Sequence, residues 1–547
     1  MWQSRGALAL ADANNVVGNH KGVGRMLLQR SPHCPSDVVP PMSQSAVHSV
    51  LFPSSATGLS SRDKVLREAV IILGLLVLTL ALRAPFFSNI DEDEAFFALI
   101  GRDWLNGALP YVDRFDVKPP GLFALYALAQ VIGGASVATY KCLIVVAVAA
   151  SAYGLLLIGR QCFSPLAGSV AAALYPFYSL AMHGVNAPVG LLLNAFVIFA
   201  ALAALRVDKG RLTCAFASGL LLGFAFTVKQ SVAFEAFAIM CAMLLRPMPP
   251  DRRMATFAAF AVGGAAVPVV FACYFLAHGA FGALWTATIV SAVGRLNGDN
   301  VSFTEGLYRF PFGLAPALVL VLGASMVAVR WTRLQPEHAH EIRLCLLWAL
   351  GAAAGVIGMR SMYDHYFLPL IPPLLVLASV SLALAVERLS GRQAIVVTIS
   401  AFVAAAAFPI FINSDDLTDG AVDLAAVRAA ERAAIAAGLR PGDPVIVVNR
   451  GLLFSFETGA VPAGRFFHPM HLLCEFPIPG RSPLDAAFAA EPKFVLVANT
   501  RFSMVCQKPE RMTALKAHLD VGFVRVAQVS GVWDAYELYV RTGHSGP

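Results

Sequence analysis

Apolar and polar positions along this chain fall into long blocks rather than into the narrow stripes of amphipathic helices. Runs of Leu, Val, Ala, Ile and Phe recur from residue 66 onward, separated by short polar turns. Eleven such runs lie at 66–87, 138–158, 165–182, 187–205, 212–228, 231–245, 255–277, 307–329, 343–358, 366–386 and 393–412. A helix needs about 20 mostly apolar residues to cross the hydrocarbon core of a bilayer, and each run is read as one span. The run Pro120–Gly133 is shorter, at about 14 residues, and predicts a helix lying at the interface rather than a crossing.

The flanks differ from this pattern. Residues 1–60 have no periodicity and are rich in Ser, Pro, Gly and Asn, which predicts a disordered tail. The tail lacks the layout of a signal peptide, and Met26 and Met42 are alternative starts. Beyond residue 413, the β-type runs Val445–Val448, Phe494–Val497, Phe523–Val526 and Tyr536–Tyr539 alternate with helical stretches at 425–438, 483–490 and 509–519. The chain thus divides into a tail (1–60), an all-α polytopic membrane bundle (61–413) with an outer loop at 88–137, and a small α/β domain (414–547).

Composition agrees. Of the 547 residues, 57% are apolar and 14% charged, against about 45–50% and roughly 25% in soluble domains. A water-soluble enzyme, a disordered chain and a disulfide-stapled module are excluded. The net charge of +7 does not indicate nucleic acid, because the basic residues sit in short loops rather than in one patch. Arg62, Lys64 and Arg67 precede the first span. Arg160, then Arg206, Lys209 and Arg211, then Arg246, Arg252 and Arg253, then Arg330, Arg333 and Arg343, then Arg388 and Arg392 follow the even-numbered spans. With eleven spans all these loops share one side, which the positive-inside rule makes the cytoplasm. The loop 88–137, the turns 183–186, 229–230 and 359–365, the loop 278–306 and the C-terminal domain then face outward. Only Cys474 and Cys506 of the nine cysteines lie in that exported domain; a bridge and two unpaired thiols are both compatible with it.

Chemistry concentrates in the outer loop. Asp91, Glu92, Asp93 and Glu94 stand directly after the first span and before an amphipathic helix. Acids at a helix N-terminus suit the cap and the dipole, which accounts for one or two of them. Four crowded acids repel, so at least one should have a raised pKa or a cationic partner, and a raised carboxylate serves as a general base. Further on, Asp116 and Lys118 precede the prolines Pro119 and Pro120; Lys118 reads either as a headgroup anchor or as a cation holding a phosphate.

The succession Asp93-Glu94-Ala95-Phe96-Phe97, Gly107 to Tyr111 and Lys118-Pro119-Pro120 resembles the first periplasmic loop of the GT-C membrane glycosyltransferases. It is most similar to the protein O-mannosyltransferase and aminoarabinose transferase class, which includes the rhizobial galacturonosyltransferases of lipopolysaccharide core. The likeness continues in order through Gly159 to Phe163, Phe226 to Gln230 and His365 to Pro369, and so covers about 66–412. It implies a polyprenyl-phosphate sugar donor loaded from the outer side of a bacterial inner membrane, and an inverting transfer to lipopolysaccharide or lipid A, another glycan or a protein. Asp93 matches the acid that deprotonates the acceptor, with Glu94 beside it to orient the base or the acceptor, and Lys118 matches a lysine near the donor phosphate. Asp116 departs from the Glu-Lys-Pro-Pro of aminoarabinose transferases by its two-residue offset, and Asn186 stands where several relatives carry an Asp.

Other candidates have two readings each. Lys229 either snorkels or binds the donor phosphate, and a Lys229–Glu235 pair is the structural alternative. Arg360 is a second candidate for that phosphate, with Asp364, His365 and Tyr366 crowded near it. His183 reads as structural. Arg295, Asn297, Asp299 and Asn300 lie in a loop able to cover the site or simply to turn. Asp91, Glu92 and Asp93 offer oxygens of the kind Mg²⁺ or Mn²⁺ prefers, but the spacing assigns no metal and no cofactor is firmly predicted. No nucleotide-binding motif occurs. A flippase or transporter of lipid-linked sugars, and a non-catalytic envelope scaffold, are the rival functions.

Overall fold

The computed structural model describes residues 60–185, 189–207, 211–297, 303–330, 338–412, 423–473, 482–500, 509–531 and 534–543. The N-terminal tail, Asn186, Asp299 and Asn300, and the two cysteines of the C-terminal domain lie outside them, as does every expectation that rests on those residues. The side chains of Arg295 and Asn297 are likewise outside.

The first span, α1 (Ser61–Arg83), starts at a capping box in which the Ser60 hydroxyl takes the Asp63 N–H and the Asp63 carboxylate takes the Ser60 N–H. Val65, Leu66, Val70, Leu73, Val77 and Leu80 are exposed along it, an apolar surface that suits lipid, where a helix satisfies all its own backbone groups. A short turn leads into α2 (Glu92–Leu105), whose apolar residues Ala95–Ile100 are all but inaccessible. The Pro120–Gly133 run folds as α3, begun by Pro120 at its first turn. α4 (Val137–Cys162) is capped by Ser136 and carries the bundle forward.

Every one of the eleven apolar runs folds as helix. Among the described residues, seven helices are by length and composition able to cross a membrane on their own: 61–86, 137–162, 250–277, 303–330, 339–358, 364–386 and 391–412. The helices Pro165–Tyr178, Val189–Leu205, Leu212–Phe226 and Val232–Leu244 have only 14, 17, 15 and 13 residues. At about 1.5 Å per residue they fall short of a ~30 Å core. Their runs are shortened where the chain leaves the helix for turns at 179–185 and 227–231, and two residues of the first turn, Met182 and His183, adopt positive φ.

Small residues set the helix spacing. Gly219 and Gly223 lie one turn apart on Leu212–Phe226, against Gly263 and Gly264 of Pro250–Ala277. A Cβ on Gly219 would stand 2.1 Å from the Phe260 carbonyl oxygen, and one on Gly223 2.2 Å from that of Gly264. Backbones that close are how helices pack where lipid supplies no hydrophobic drive.

The C-terminal part is a five-stranded sheet in the order β2-β1-β3-β5-β4, with β1 (Pro444–Val448), β2 (Val461–Pro462), β3 (Phe494–Thr500), β4 (Phe523–Ser530) and β5 (Asp534–Arg541). β1 runs parallel to β2 and β3, and β5 is antiparallel to β3 and β4. The four expected strands are present; β2 is an addition of two residues, too short to leave a periodic signal. Buried Ile446, Val448, Val495 and Val497 pack with Leu484, Leu515 and Leu519 of the covering helices. By its contacts this part is not separate from the bundle: Ser55–Pro547 form one compact unit.

Candidate active site

The four acids at the start of α2 are sorted by the fold. Asp91 is the N-cap, its carboxylate accepting the Asp93 N–H at 2.9 Å. Glu92 is buried and accepts the N–H groups of Gly451 and Leu452 (3.0 Å for the latter), at the start of the helix Leu452–Glu457 in the C-terminal part. Glu94 closes the capping box with the Asp91 N–H and is fully buried against the Lys141 ammonium of α4, 2.6 Å away. Asp93 keeps 41% of its side-chain surface open, whereas Glu92 and Glu94 are buried.

The shifts of these acids run in opposite directions. Burial, then the charge of Asp93, pushes Asp91 well above the usual range. Burial also pushes Asp93 up, but a hydrogen bond from His468, the charge of Lys118 and the charges of His468 and His365 outweigh it and hold Asp93 well below the carboxylate range. The His468 Nε2 lies 3.3 Å from Asp93 Oδ1. Glu94, expected to orient Asp93 or the acceptor, is instead committed to Lys141 and the helix cap. As for a divalent cation, Asp91, Glu92 and Asp93 turn to three different partners, and among the described residues no group of three or more His, Cys, Asp or Glu could hold a metal ion.

The loop after α2 delivers Lys118. Tyr111 sits at φ 70, fully buried, and its hydroxyl donates to the Lys118 carbonyl at 2.8 Å. The Gln230 amide donates to the Val117 carbonyl at 2.9 Å and to the Thr288 carbonyl at 3.0 Å, which ties the loop to the turn carrying Lys229. The Lys118 ammonium lies 4.9 Å above the Phe97 ring and the Lys229 ammonium 4.1 Å above that of Tyr366, both cation–π contacts. Among the described residues neither forms an ion pair. Burial, followed by repulsion from Lys118 and opposed by Glu235, lowers Lys229 to about 7. The Lys229–Glu235 pair considered from the sequence is not made: the Trp348 indole N–H donates to Glu235 at 2.8 Å.

Asp116 is buried beside Lys118. One oxygen takes the Val117 N–H at 2.6 Å and the other has no hydrogen-bond partner among the described residues; burial raises this carboxyl above its usual range despite Lys118 and His468. His365 and Tyr366 pack edge to face, with ring centres 4.5 Å apart. Arg360 (φ 56) and Met362 (φ 44) hold the preceding turn in a strained left-handed form, of the kind that persists where surrounding structure over-determines it. The Arg360 carbonyl packs onto Gly306, where a Cβ would stand 1.9 Å away. His183 approaches Asp364 at 3.6 Å. The fold thus gathers Asp93, Asp116, Lys118, Lys229, His365 and Tyr366 and adds His468, which sequence reasoning missed. It also missed Arg83, whose guanidinium donates to the Ser179 and Gly184 carbonyls and braces the turn before Asn186.

The sequence matches no protein-family model and no curated protein. The fold does have solved counterparts. ArnT from Cupriavidus metallidurans superposes in its apo state with a TM-score of 0.58 and 13% identity, over 87% of this chain and 99% of that one. The same protein bound to undecaprenyl phosphate gives 0.55 and 14%, over 89% and 100%. The arabinofuranosyltransferase AftD from Mycobacteria gives 0.51 and 13%, over 88% of this chain but 40% of its own. The architecture is the GT-C fold of these membrane glycosyltransferases. With seven helices of spanning length and composition among the described residues, the protein is an integral membrane protein.

Proposed function

We propose that this protein is a glycosyltransferase that moves a sugar from a polyprenyl-phosphate donor to an acceptor on the outer face of the membrane, inverting the anomeric centre. The observation that supports the reading is an Asp93 with 41% of its side chain open near two lysines, Lys118 and Lys229, that form no ion pair among the described residues and rest on aromatic rings instead. In the proposed reaction the donor phosphate lies between Lys118 and Lys229, which offset the charge that builds on it as the sugar–phosphate bond breaks. Arg360 is a further candidate for that phosphate. The acceptor hydroxyl donates to Asp93, and its proton moves to the carboxylate as the new bond to the sugar forms. A carboxylate held this low is a weak base. Phosphate binding to Lys118 removes part of the field that holds it down, so Asp93 becomes more basic once the donor is seated. The acceptor classes are lipopolysaccharide or lipid A, another glycan, or a protein, and the membrane is the bacterial inner membrane with the C-terminal part in the periplasm.

The test uses membranes containing wild type or Asp93→Asn at matched expression, supplied with extracted polyprenyl-phosphate sugars and followed by mass spectrometry. Loss of lipid-linked sugar with the wild type alone is expected, and the new product identifies the acceptor. Equal consumption by both proteins removes Asp93 from the chemistry. Consumption by neither shifts the reading to a flippase or a scaffold.

A further inference from the structure

The C-terminal part contributes a side chain to the site. We infer that His468 is a positioning residue for Asp93, holding one carboxylate oxygen so that the other is presented to the acceptor. This rests on the proposed role of Asp93 and adds a component from 375 residues further along the chain.

Geometry carries it. His468 Nε2 lies 3.3 Å from Asp93 Oδ1, and only 13% of the His468 side chain is exposed. Its ring meets the edge of Phe96 with centres 4.6 Å apart and that of His471 at 5.1 Å, while the neighbouring Phe467 packs on the same Phe96 at 4.8 Å. The backbone around it is pinned to the outer loop at several points. Arg102 donates to the Ser455 carbonyl at 2.9 Å and to that of Ala460 at 2.8 Å. The Phe115 N–H donates to the Arg465 carbonyl at 3.0 Å. Glu92 holds Gly451 and Leu452. These contacts converge on the strip that ends in His468.

The consequence is chemical. A free carboxylate turns about its Cβ–Cγ bond and, beside Lys118, would spend one or both oxygens on the ammonium. With the proton on Nε2, His468 donates to Oδ1 and fixes that rotation, leaving Oδ2 for the acceptor hydroxyl. Fixing a reacting group in a productive orientation acts on turnover rather than on donor affinity, because the lipid phosphate is bound elsewhere, at the lysines.

The experiment uses the purified full chain in lipid nanodiscs. It measures kcat and KM with undecaprenyl-phosphate sugars extracted from bacterial membranes, alongside thermal melting. His468→Ala is expected to lower kcat about 10- to 100-fold with KM for the donor within about twofold. His468→Gln, whose amide N–H can donate across a similar reach, is expected to recover much of the loss. A kcat for His468→Ala within about twofold of wild type overturns the inference. So do equal losses in the Ala and Gln variants accompanied by equal falls in melting temperature, which would make His468 mere glue between the parts. Activity that survives Asp93→Asn sinks the underlying reading and the inference with it. Activity abolished by Asp93→Asn but intact in His468→Ala sinks the inference alone.

Discussion

At the scale of single residues, the site is governed by how each charge is compensated. Of the four acids in a row, three are absorbed by structure: Asp91 by the cap, Glu92 by two N–H groups and Glu94 by Lys141. Lys229 is the converse case, a buried ammonium that faces Lys118 and is lowered to about 7. Below about pH 7 Lys229 is charged and ready for an anion, whereas above it the lysine is neutral and must take up a proton when phosphate binds. On the proposed reading, affinity for a polyprenyl phosphate is expected to weaken as pH rises from about 7 toward about 9, with net proton uptake on binding. Calorimetry in buffers of different ionisation enthalpy measures both. Lys229→Arg, always charged, should flatten the dependence. A wild type whose affinity does not change over that range would remove Lys229 from the phosphate site. The lysines and Asp93 were legible as candidates because their residue types and positions next to apolar runs are unusual. Their compensation was not, since a sequence shows acids side by side but not which of them finds Lys141 or Gly451.

At the scale of elements, close helix contacts decide the packing. The Gly219–Gly223 stripe on Leu212–Phe226 meets Gly263 and Gly264 across a gap that has no room for a side chain. Gly223→Leu is expected to separate these helices, with a loss of several kcal/mol in the manner of severe overpacking. It should also displace the adjacent turn that carries Lys229 and Gln230. Lower yield of folded protein, a lower melting temperature in detergent and weaker undecaprenyl phosphate binding would report this together. A Leu variant that melts with the wild type would show that the helices do not need the contact. The helices Pro165–Tyr178, Val189–Leu205, Leu212–Phe226 and Val232–Leu244 are shorter than their apolar runs. Their hydropathy reads as full spans because residues such as Leu180 and Val185 continue the apolar run. Backbone turns end the helices all the same: Met182 and His183 take positive φ, and Arg83 binds the carbonyls that the turn leaves open.

At the scale of the molecule, the outer loop and the C-terminal sheet form one surface around Asp93. Glu92 is one of the ties, buried and serving two backbone donors. Glu92→Ala leaves those N–H groups without their acceptor, at a cost of about 1–3 kcal/mol. It is expected to lower the melting temperature, to speed proteolytic cutting between the bundle and the sheet, and to reduce activity in parallel as His468 loses its register with Asp93. Unchanged proteolysis in the variant would mean that the other contacts suffice to hold the parts together.

The sequence by itself determined the solvent. Its long apolar blocks can satisfy their backbone groups in lipid only as helices, and that much needs no tertiary information. It also determined the helical bundle, the short α3 and four of the five strands, because each carries its own local period. Its motifs reached as far as a resemblance to the GT-C enzymes, whose fold the structure shares. The tertiary structure decided which apolar runs reach spanning length, since that depends on turns braced from distant helices. It decided which of four adjacent carboxylates stays open, because the partners of the other three are supplied by packing. It also brought His468 to Asp93 from the far end of the chain. No local pattern encodes that meeting, because it arises only when an entire domain docks on a loop.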